Sequence, residues 1–445
     1  MATEISRISS KEYIFYSIYA FLLMFAPPII PHINIVFFLA FFSLIYIILR
    51  LNKVINEVIF KARIVNFMVG YFIFYVYALL VFSFNGAQNT KMFSVTISDM
   101  YRYTLLVPAM FVCVLFLMTN LYKKDWNFMQ ISSILIGGGI IQFFFCLTAF
   151  LLPSIKTMFI SVMAANTGQS VYFSNSINVV GTEIRYFGFA STLLDSFGYC
   201  VGTLTALALF LGVFYKSKYL FAVPCLLFTT ALNSRTGLLI ALIGAIFVIL
   251  AVAYMGDIKK ILTVIVGIIA FLICGYVILN IISSVSVLTM EWISSGFESL
   301  TSILTGKQTQ TYDFANVLFS TRFWTLPKDM ALFFGSGYDV NTTLNGILGF
   351  HSDVGYINLL WEFGIVGTIL LLLPYLELMI STFIRARKKN KLFVLGVIVC
   401  FFIVMVKFDA TSYTPGAPLF FVILWYSQLE VEGSHAEIKY NCANI

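Results

Sequence analysis

The apolar residues of this chain are gathered into long runs, and short clusters of Lys, Arg, Asp and Glu separate one run from the next. The runs are roughly 16 to 26 residues long, which is the length an α-helix needs to cross ~30 Å of hydrocarbon. The pattern predicts an all-α, polytopic transmembrane protein.

The composition excludes the main alternatives to a membrane protein. Of the 445 residues, 60% are apolar and 11% are charged, whereas soluble domains carry about 25% charged residues. A soluble globular domain and a disordered chain are both excluded on this ground. The net charge of +7 does not indicate a nucleic-acid partner, because the basic residues stand at the ends of apolar runs, where membrane topology explains them.

We count about twelve spans in one transmembrane domain, residues 1–430, followed by a cytoplasmic tail, 431–445, that we expect to be disordered. The predicted spans are residues 13–30, 34–49, 64–83, 104–119, 127–152, 197–214, 219–232, 237–255, 261–283, 354–380, 392–406 and 414–428.

The charge distribution fixes the predicted orientation. With a cytoplasmic N-terminus, 18 of the 27 basic residues fall in inner segments. Merging the two short runs around residues 233–236 into one span would leave 14 basic residues in inner segments and 13 in outer ones. The positive-inside rule therefore favours a hairpin there. Both termini are then cytoplasmic, and the long external segments are about 153–196 and, between spans nine and ten, 284–353. We expect function on this external face, because both segments are longer than simple connections.

Arg235 is the most informative single residue. Its guanidinium lies within a long apolar stretch, between Ser234 and Thr236, and an always-charged group is costly near hydrocarbon. It must be hydrated, paired or turned towards an anionic ligand. The alternative is a snorkelling or topology-setting arginine, but such arginines normally lie on the inner side.

Two further arginines, Arg185 and Arg322, fall in the external segments. Each taken alone is equally well read as a solvated loop residue. Three guanidinium groups on one face suit a polyanionic headgroup such as a lipid diphosphate, because the guanidinium fork matches phosphate oxygens.

His351 stands at the external mouth of the span that begins near Val354. An unperturbed imidazole, with a pKa of about 6.5, suits proton abstraction in a neutral compartment; a capping or interfacial histidine is the alternative. Glu362 follows eleven residues later, which on a continuous helix returns to the same face about 16 Å deeper. It either orients a buried polar network or pairs with another helix. Ser234 and Asp353 are further supporting candidates.

Motifs for metals and nucleotides are missing from the sequence. We find no Asp-x-Asp pair, no Walker-type glycine loop and no Cys/His cluster. The expected chemistry therefore uses neither a metal nor a cofactor.

Four patches together resemble the bacterial O-antigen polymerase and ligase superfamily, the Wzy- and WaaL-type polytopic glycosyltransferases. They are Arg185-x-x-Gly188-Phe189; Ser234-Arg235-Thr236 before a Leu-rich span; Arg322 with Trp324 and then Gly335-x-Gly337; and the stretch HSDVGYINLLWEFGIVG, which begins at His351. The resemblance covers roughly residues 185–370 and rests on the order of the patches. Ser352 stands where many family members, especially ligases, carry Asn, and Asp353-x-Gly355 reads more like the polymerases.

The resemblance implies a GT-C-like enzyme of the bacterial inner membrane that joins repeat units carried on undecaprenyl diphosphate at the periplasmic face. It implies diphosphate contacts for Arg235, Arg322 and Arg185, and an acceptor-activating role for His351. It also implies a Wzz-like chain-length regulator as a partner. Two alternatives stay open: a ligase that transfers glycan to lipid A core, and a transporter in which the charged residues mark a solute path. No pseudo-symmetric halves are visible in the sequence to favour a transporter.

Overall fold

The computed structural model of the protein describes residues 9–29, 33–50, 52–88, 100–166, 185–190, 195–256, 258–285, 287, 289–291, 293–294, 321–337 and 354–442. Every regular element in these ranges is helical. The α-helices are α1 (Ser10–Phe25), α2 (Ile35–Arg50), α3 (Asn52–Lys61), α4 (Ile64–Gln88), α5 (Val107–Lys123), α6 (Phe128–Leu151), α7 (Pro153–Asn166), α8 (Asp195–Phe214), α9 (Ala222–Ala231), α10 (Arg235–Met255), α11 (Ile258–Val285), α12 (Met330–Phe334), α13 (Gly355–Arg385), α14 (Lys388–Val404) and α15 (Gly416–Cys442).

Three short helical turns complete the described elements. A π-helical turn, Arg102–Leu106, runs directly into α5, while 3-10 turns occupy Ser217–Phe221 and Thr321–Trp324. Each of the twelve predicted spans overlaps a described helix. The prediction of an all-α chain is therefore confirmed for the part of the chain that the structure describes.

Six helices in the described ranges are long and apolar enough to cross a membrane. A seventh is added if Ile35–Arg50 and Val54–Lys61, which meet at 111°, form one bent span. The six are Ile64–Phe84, Arg102–Lys123, Phe128–Leu151, Asp195–Phe214, Arg235–Met255 and Gly355–Arg385. The protein is thus membrane-embedded by the length and composition of its helices.

Helix α8 lies at the centre of the bundle. Its apolar window is 89% buried within the protein, compared with 33% for α4 and for α10, so α8 is covered by other helices while α4 and α10 face outwards. The start of α8 meets the start of α10 at backbone contact: a Cβ built on Gly198 would lie 2.2 Å from Ser234 Oγ. Only glycine allows so close an approach, which is a common device between membrane helices.

Five of the described lysines gather at one end of the bundle, which we call the basic end. It is defined by Lys61, Lys124, Lys260, Lys388 and Lys389. Lys124, after the end of α5, pairs with Glu12 at the start of α1, and Lys388 lies over the ring of Tyr254 near the end of α10. All five lysines belong to segments that the charge analysis places on the inner side, so the inner segments meet in space.

The opposite end, which we call the arginine end, is formed where α8, α10, α13 and α15 begin and where the π-helical turn leads into α5. The arginines Arg102, Arg185 and Arg235 lie there. Tyr413, just before α15, donates a hydrogen bond of 2.9 Å to Leu23 O near the end of α1. The arginine end and the basic end are thus opposite ends of the bundle.

Two predictions about chain segments need correction or refinement. The last helix, α15, continues to Cys442, so most of the tail predicted to be disordered is helical. The external segment 153–196 begins with α7 and is therefore not a simple loop at its start.

Candidate functional site

The two short apolar runs on either side of Arg235 form separate helices, α9 and α10, joined by residues 232–234. The Ser234 side chain accepts a hydrogen bond of 3.1 Å from Gly237 N. This is an N-cap, which satisfies one of the free amides at a helix start and ends the preceding helix. Ser234, predicted to support the site, therefore fixes where α10 begins, and Arg235 is its first residue, half-buried at the arginine end.

The Arg185 segment is held beside this turn by three contacts. Tyr186 N donates a hydrogen bond of 3.1 Å to Asn233 Oδ1, and the amide of Gln142 in α6 donates one of 2.6 Å to Phe187 O. The ammonium of Lys156 in α7 lies 3.9 Å from the centre of the Tyr186 ring. These contacts bring Arg185 to the beginning of α10.

The guanidinium groups of Arg185 and Arg235 are close enough for their charges to repel. Asp195, the first residue of α8, attracts Arg185 and accepts a hydrogen bond of 2.6 Å from the Thr236 hydroxyl. We call these four residues the arginine cluster. Burial lowers the pKa of Arg185, and the Asp195 carboxylate opposes this shift.

The arginine cluster has the electrostatics of an anion site. An arginine remains charged even when its pKa is lowered, so the four residues of the cluster carry two positive charges and the one negative charge of Asp195. The starts of α8 and α10 meet there, and helix N-termini add partial positive charge and free amides. A doubly or triply charged phosphate group would relieve the repulsion between the two arginines.

Helix α13 is broken at Gly364, although a continuous span over 354–380 was predicted. Gly364 has φ 63° and ψ −173°, a conformation essentially confined to glycine. The carbonyl of Trp361 accepts hydrogen bonds from Ser336 N at 2.7 Å and Ser336 Oγ at 2.6 Å. Gly337 N donates one of 3.0 Å to Glu362 O. The break thus frees backbone carbonyls, which accept hydrogen bonds from Ser336 and Gly337.

Glu362 lies immediately before this break and is fully buried. Its Oε1 atom is 3.2 Å from Arg102 Nη2, and the Arg102 side chain is 33% exposed. The predicted alternatives for Glu362 were a buried polar network and a pairing with another helix. The structure gives a pairing, with the first residue of the π-helical turn before α5.

The predicted residues His351, Ser352 and Asp353 and the side chain of Arg322 lie outside the described residues. Their neighbours, however, are described. Phe323, next to Arg322, packs against Val354, Ile357 and Trp361 at the start of α13, and Trp361 Nε1 donates a hydrogen bond of 3.0 Å to Thr325 O. The described residues next to Arg322 therefore contact the start of α13, which begins four positions after His351.

Helix α13 begins at Gly355, and Val354 has extended backbone with ψ 113°. The predicted spacing between His351 and Glu362 cannot be read from these elements alone, since His351 lies outside the described residues.

A chain of packed residues joins the two halves of the arginine end. Next to Gly198, which contacts Ser234, the ring of Tyr199 lies 6.3 Å from that of Phe408. A Cβ on Gly355 would lie 2.4 Å from Phe408 O, so the turn before α15 rests on the start of α13. The arginine cluster and the start of α13 thus lie on either side of Tyr199 and Phe408.

Three charged residues of this region were missed: Arg102, Asp195 and Asp409. Asp409 accepts hydrogen bonds from the Tyr103 hydroxyl and from Thr411 N, the latter at 2.8 Å. Each of the three stands at the edge of an apolar run, which was the available signal. Charged residues at such edges also set topology, so the signal alone does not separate the two roles.

Among the described residues, no three His, Cys, Asp or Glu side chains lie close enough together to hold a metal ion.

Comparison with known proteins found no matching family model, no similar curated protein and no similar solved structure.

Proposed function

We propose that the chain is a membrane glycosyltransferase that polymerises a surface polysaccharide of the O-antigen type. Its donor is a glycan on undecaprenyl diphosphate, and its acceptor is the next repeat unit. The observation that carries this proposal is the arginine cluster, in which Arg185 and Arg235, 50 positions apart along the chain, meet at the starts of two helices. This is the electrostatic arrangement that a diphosphate requires.

The proposed reaction is a direct displacement at the anomeric carbon of the donor. His351 accepts the proton of the acceptor hydroxyl while that oxygen forms the new glycosidic bond. The bond from the anomeric carbon to the diphosphate oxygen breaks, and its electron pair leaves with undecaprenyl diphosphate. Arg185, Arg235 and Arg322 stabilise the charge that grows on this leaving group. The anomeric configuration is inverted, and Ser234 and Asp353 support the site.

The packing of Phe323 on Val354 supports the assignment of Arg322 and His351 to one site. Phe323 directly follows Arg322, the proposed third arginine, and Val354 lies three positions after His351, the proposed base. The start of α13 and the arginine cluster lie at the same end of the bundle, connected through Tyr199 and Phe408. A reaction between two substrates needs both regions at one end.

We further propose a twelve-span, GT-C-like topology in the bacterial inner membrane, with both termini cytoplasmic and the arginine end periplasmic. Helices at all twelve predicted positions support it, as does the gathering of lysines at the opposite end. Fusions of green fluorescent protein and alkaline phosphatase after Asn166 and after Lys391 test it. Phosphatase activity is expected only after Asn166 and fluorescence only after Lys391; the reverse would invert the topology.

A Wzz-like chain-length regulator is the proposed protein partner, and nucleic acid is not. This partner comes from the family resemblance, and co-purification from detergent with and without such a regulator tests it.

The activity is tested with purified protein and a lipid-diphosphate-linked repeat unit extracted from cells that lack the chain. A ladder of products spaced by one repeat unit, with release of undecaprenyl diphosphate, is expected. A single transfer to lipid A core and no ladder would instead identify a ligase, which is the first alternative.

A transporter is the second alternative, and one observation favours it. Transporters place interrupted helices near bound solutes, and α13 is interrupted beside the buried Glu362. Proteoliposomes separate the two classes: a transporter moves a lipid-linked repeat unit between leaflets without lengthening it, whereas a polymerase lengthens it without a second compartment.

A further inference from the structure

The ion pair between Arg102 and Glu362 joins two elements that lie far apart along the chain. Arg102 precedes α5 and Glu362 belongs to α13, with Nη2 and Oε1 3.2 Å apart. Glu362 is fully buried, and a buried carboxylate is costly unless a cation and hydrogen bonds compensate it. The pair therefore holds its position for a physical reason: separating the two charges would remove a cation from a fully buried carboxylate, which is destabilising.

The break at Gly364 separates a half-helix, residues 355–363, from the rest of α13. The position of this half-helix does not follow from the long helix behind it, because the dihedral angles of Gly364 redirect the chain. Contacts at its own sides must fix it. On one side Ser336 and Gly337 donate hydrogen bonds to the carbonyls of Trp361 and Glu362, and on another side Arg102 pairs with Glu362.

Glu362 also lies at the C-terminal end of this half-helix, where the helix dipole is negative and a carboxylate is unfavourable. Arg102 compensates both the carboxylate and the nearby carbonyl ends. Without the guanidinium, this attraction is lost and the end of the half-helix should move away from α5.

The half-helix connects the two segments that carry the remaining proposed functional groups. Its N-cap residue, Val354, follows His351 by three positions, and Trp361 donates a hydrogen bond to Thr325 O in the segment that follows Arg322. Phe323 packs on the same half-helix. A shift of the half-helix would displace both segments relative to the arginine cluster.

We propose that Arg102 and Glu362 are positioning residues: their ion pair holds the half-helix in the position that transfer from a donor bound at Arg185 and Arg235 requires. This inference rests on the proposed function. Neither residue is assigned a contact with substrate, and the pair acts through the half-helix.

The kinetic test uses Arg102→Gln, Glu362→Gln and the double variant in purified protein. Misplacement of reacting groups by about 1 Å lowers rates by about 100-fold, so each single variant should lower kcat on that order and leave KM for the lipid donor unchanged. Because both changes remove the same pair, the double variant should lose no more than the worse single one. Arg102→Lys should recover part of the loss.

Glu377→Gln is the matched control. Glu377 lies on the same helix and forms an ion pair with Arg63 at 3.9 Å, but both side chains are about 40% exposed, and such pairs contribute little. This variant should keep normal kcat. An equal loss in Glu377→Gln, a rise in KM alone, or additive losses in the double variant would each overturn the positioning role.

A second measurement does not depend on any transferase activity. Diethyl pyrocarbonate modifies exposed imidazoles, and peptide mass spectrometry gives the rate at His351 separately from the two other histidines. Glu362→Gln should change the His351 rate at least threefold, with the rates at His32 and His435 unaltered, while Glu377→Gln should change none of them. An unchanged rate at His351 would overturn this inference even if the protein is a polymerase. A changed rate without polymer formation would support it and remove the proposed function.

Discussion

Tyr186 N donates a hydrogen bond of 3.1 Å to the side chain of Asn233, 47 positions later in the chain. Asn233 is fully buried, and its own amide donates a hydrogen bond of 2.7 Å to Thr229 O in α9. The Asn233 side chain thus binds the last turn of α9 and the Arg185 segment at the same time. Asn233 also directly precedes Ser234, the N-cap of α10. This is how two arginines that lie 50 positions apart along the chain come to lie near each other.

Replacement of Asn233 by Ala should separate the two arginines without removing either. The amide of Tyr186 would lose its acceptor, at a cost of about 1 to 3 kcal/mol if it stays buried, so the Arg185 segment should move. We expect KM for the lipid donor to rise about tenfold while kcat changes little. Steady-state kinetics at varied donor concentration measure this; an unchanged KM would mean that Asn233 does not hold the site together.

Replacement of Arg235 by Ala should abolish polymer formation while the protein still reaches the membrane. Arg235→Lys should restore only a small part, because the ammonium lacks the bidentate fork. Immunoblotting of membranes and a polysaccharide gel from the same cells report both properties. Arg385→Ala, at the far end of the bundle, serves as the control and should leave the gel pattern normal. Normal polymer from Arg235→Ala would exclude the diphosphate contact.

Replacement of His351 by Ala should lower kcat far more than it changes donor affinity. A general base must be unprotonated, so kcat/KM of the native enzyme should rise with pH through about 6.5, the ordinary pKa of an imidazole. The variant should lose this rise. A pH profile that is the same for both proteins would assign the proton transfer to another group.

Replacement of Gly364 by Ala should destabilise the protein. The backbone there is confined to glycine, at a cost of about 1 to 3 kcal/mol for other residues, and a Cβ would lie 2.4 Å from Gly335 N. Gly267→Ala in α11 is the control, since a Cβ there meets nothing within 4 Å. Thermal unfolding in detergent should show a lower Tm for Gly364→Ala only; equal values would mean that the break is not required.

The sequence predicted those features that follow from the cost of charge in an apolar run. Arg235 is conspicuous because nothing else charged lies near it in the sequence, and its partner Arg185 shares a predicted external side. The basic end follows from the excess of basic residues in the segments predicted to be cytoplasmic. Run length predicts a helix at each of the twelve span positions, and the positive-inside rule divides the two runs around residues 233–236.

Other features depend on packing that no local pattern reports. The break at Gly364 was missed because glycine does not by itself interrupt a helix: Gly137, Gly138 and Gly139 all stay within α6, where they allow close approach of α1 and α8. The partner of Glu362 was missed because Arg102 lies 260 positions away. Only the fold brings such residues together.

Photocrosslinking locates the donor diphosphate most directly. An undecaprenyl-diphosphate glycan with a diazirine on the sugar next to the diphosphate is irradiated with the purified protein, and the labelled peptides are mapped by mass spectrometry. Labelling of the peptides around Arg185 and Arg235, lost on competition with unmodified lipid donor, is the predicted result. Labelling confined to the basic end, around Lys388 and Lys389, would contradict the assignment of the arginine cluster as the diphosphate site.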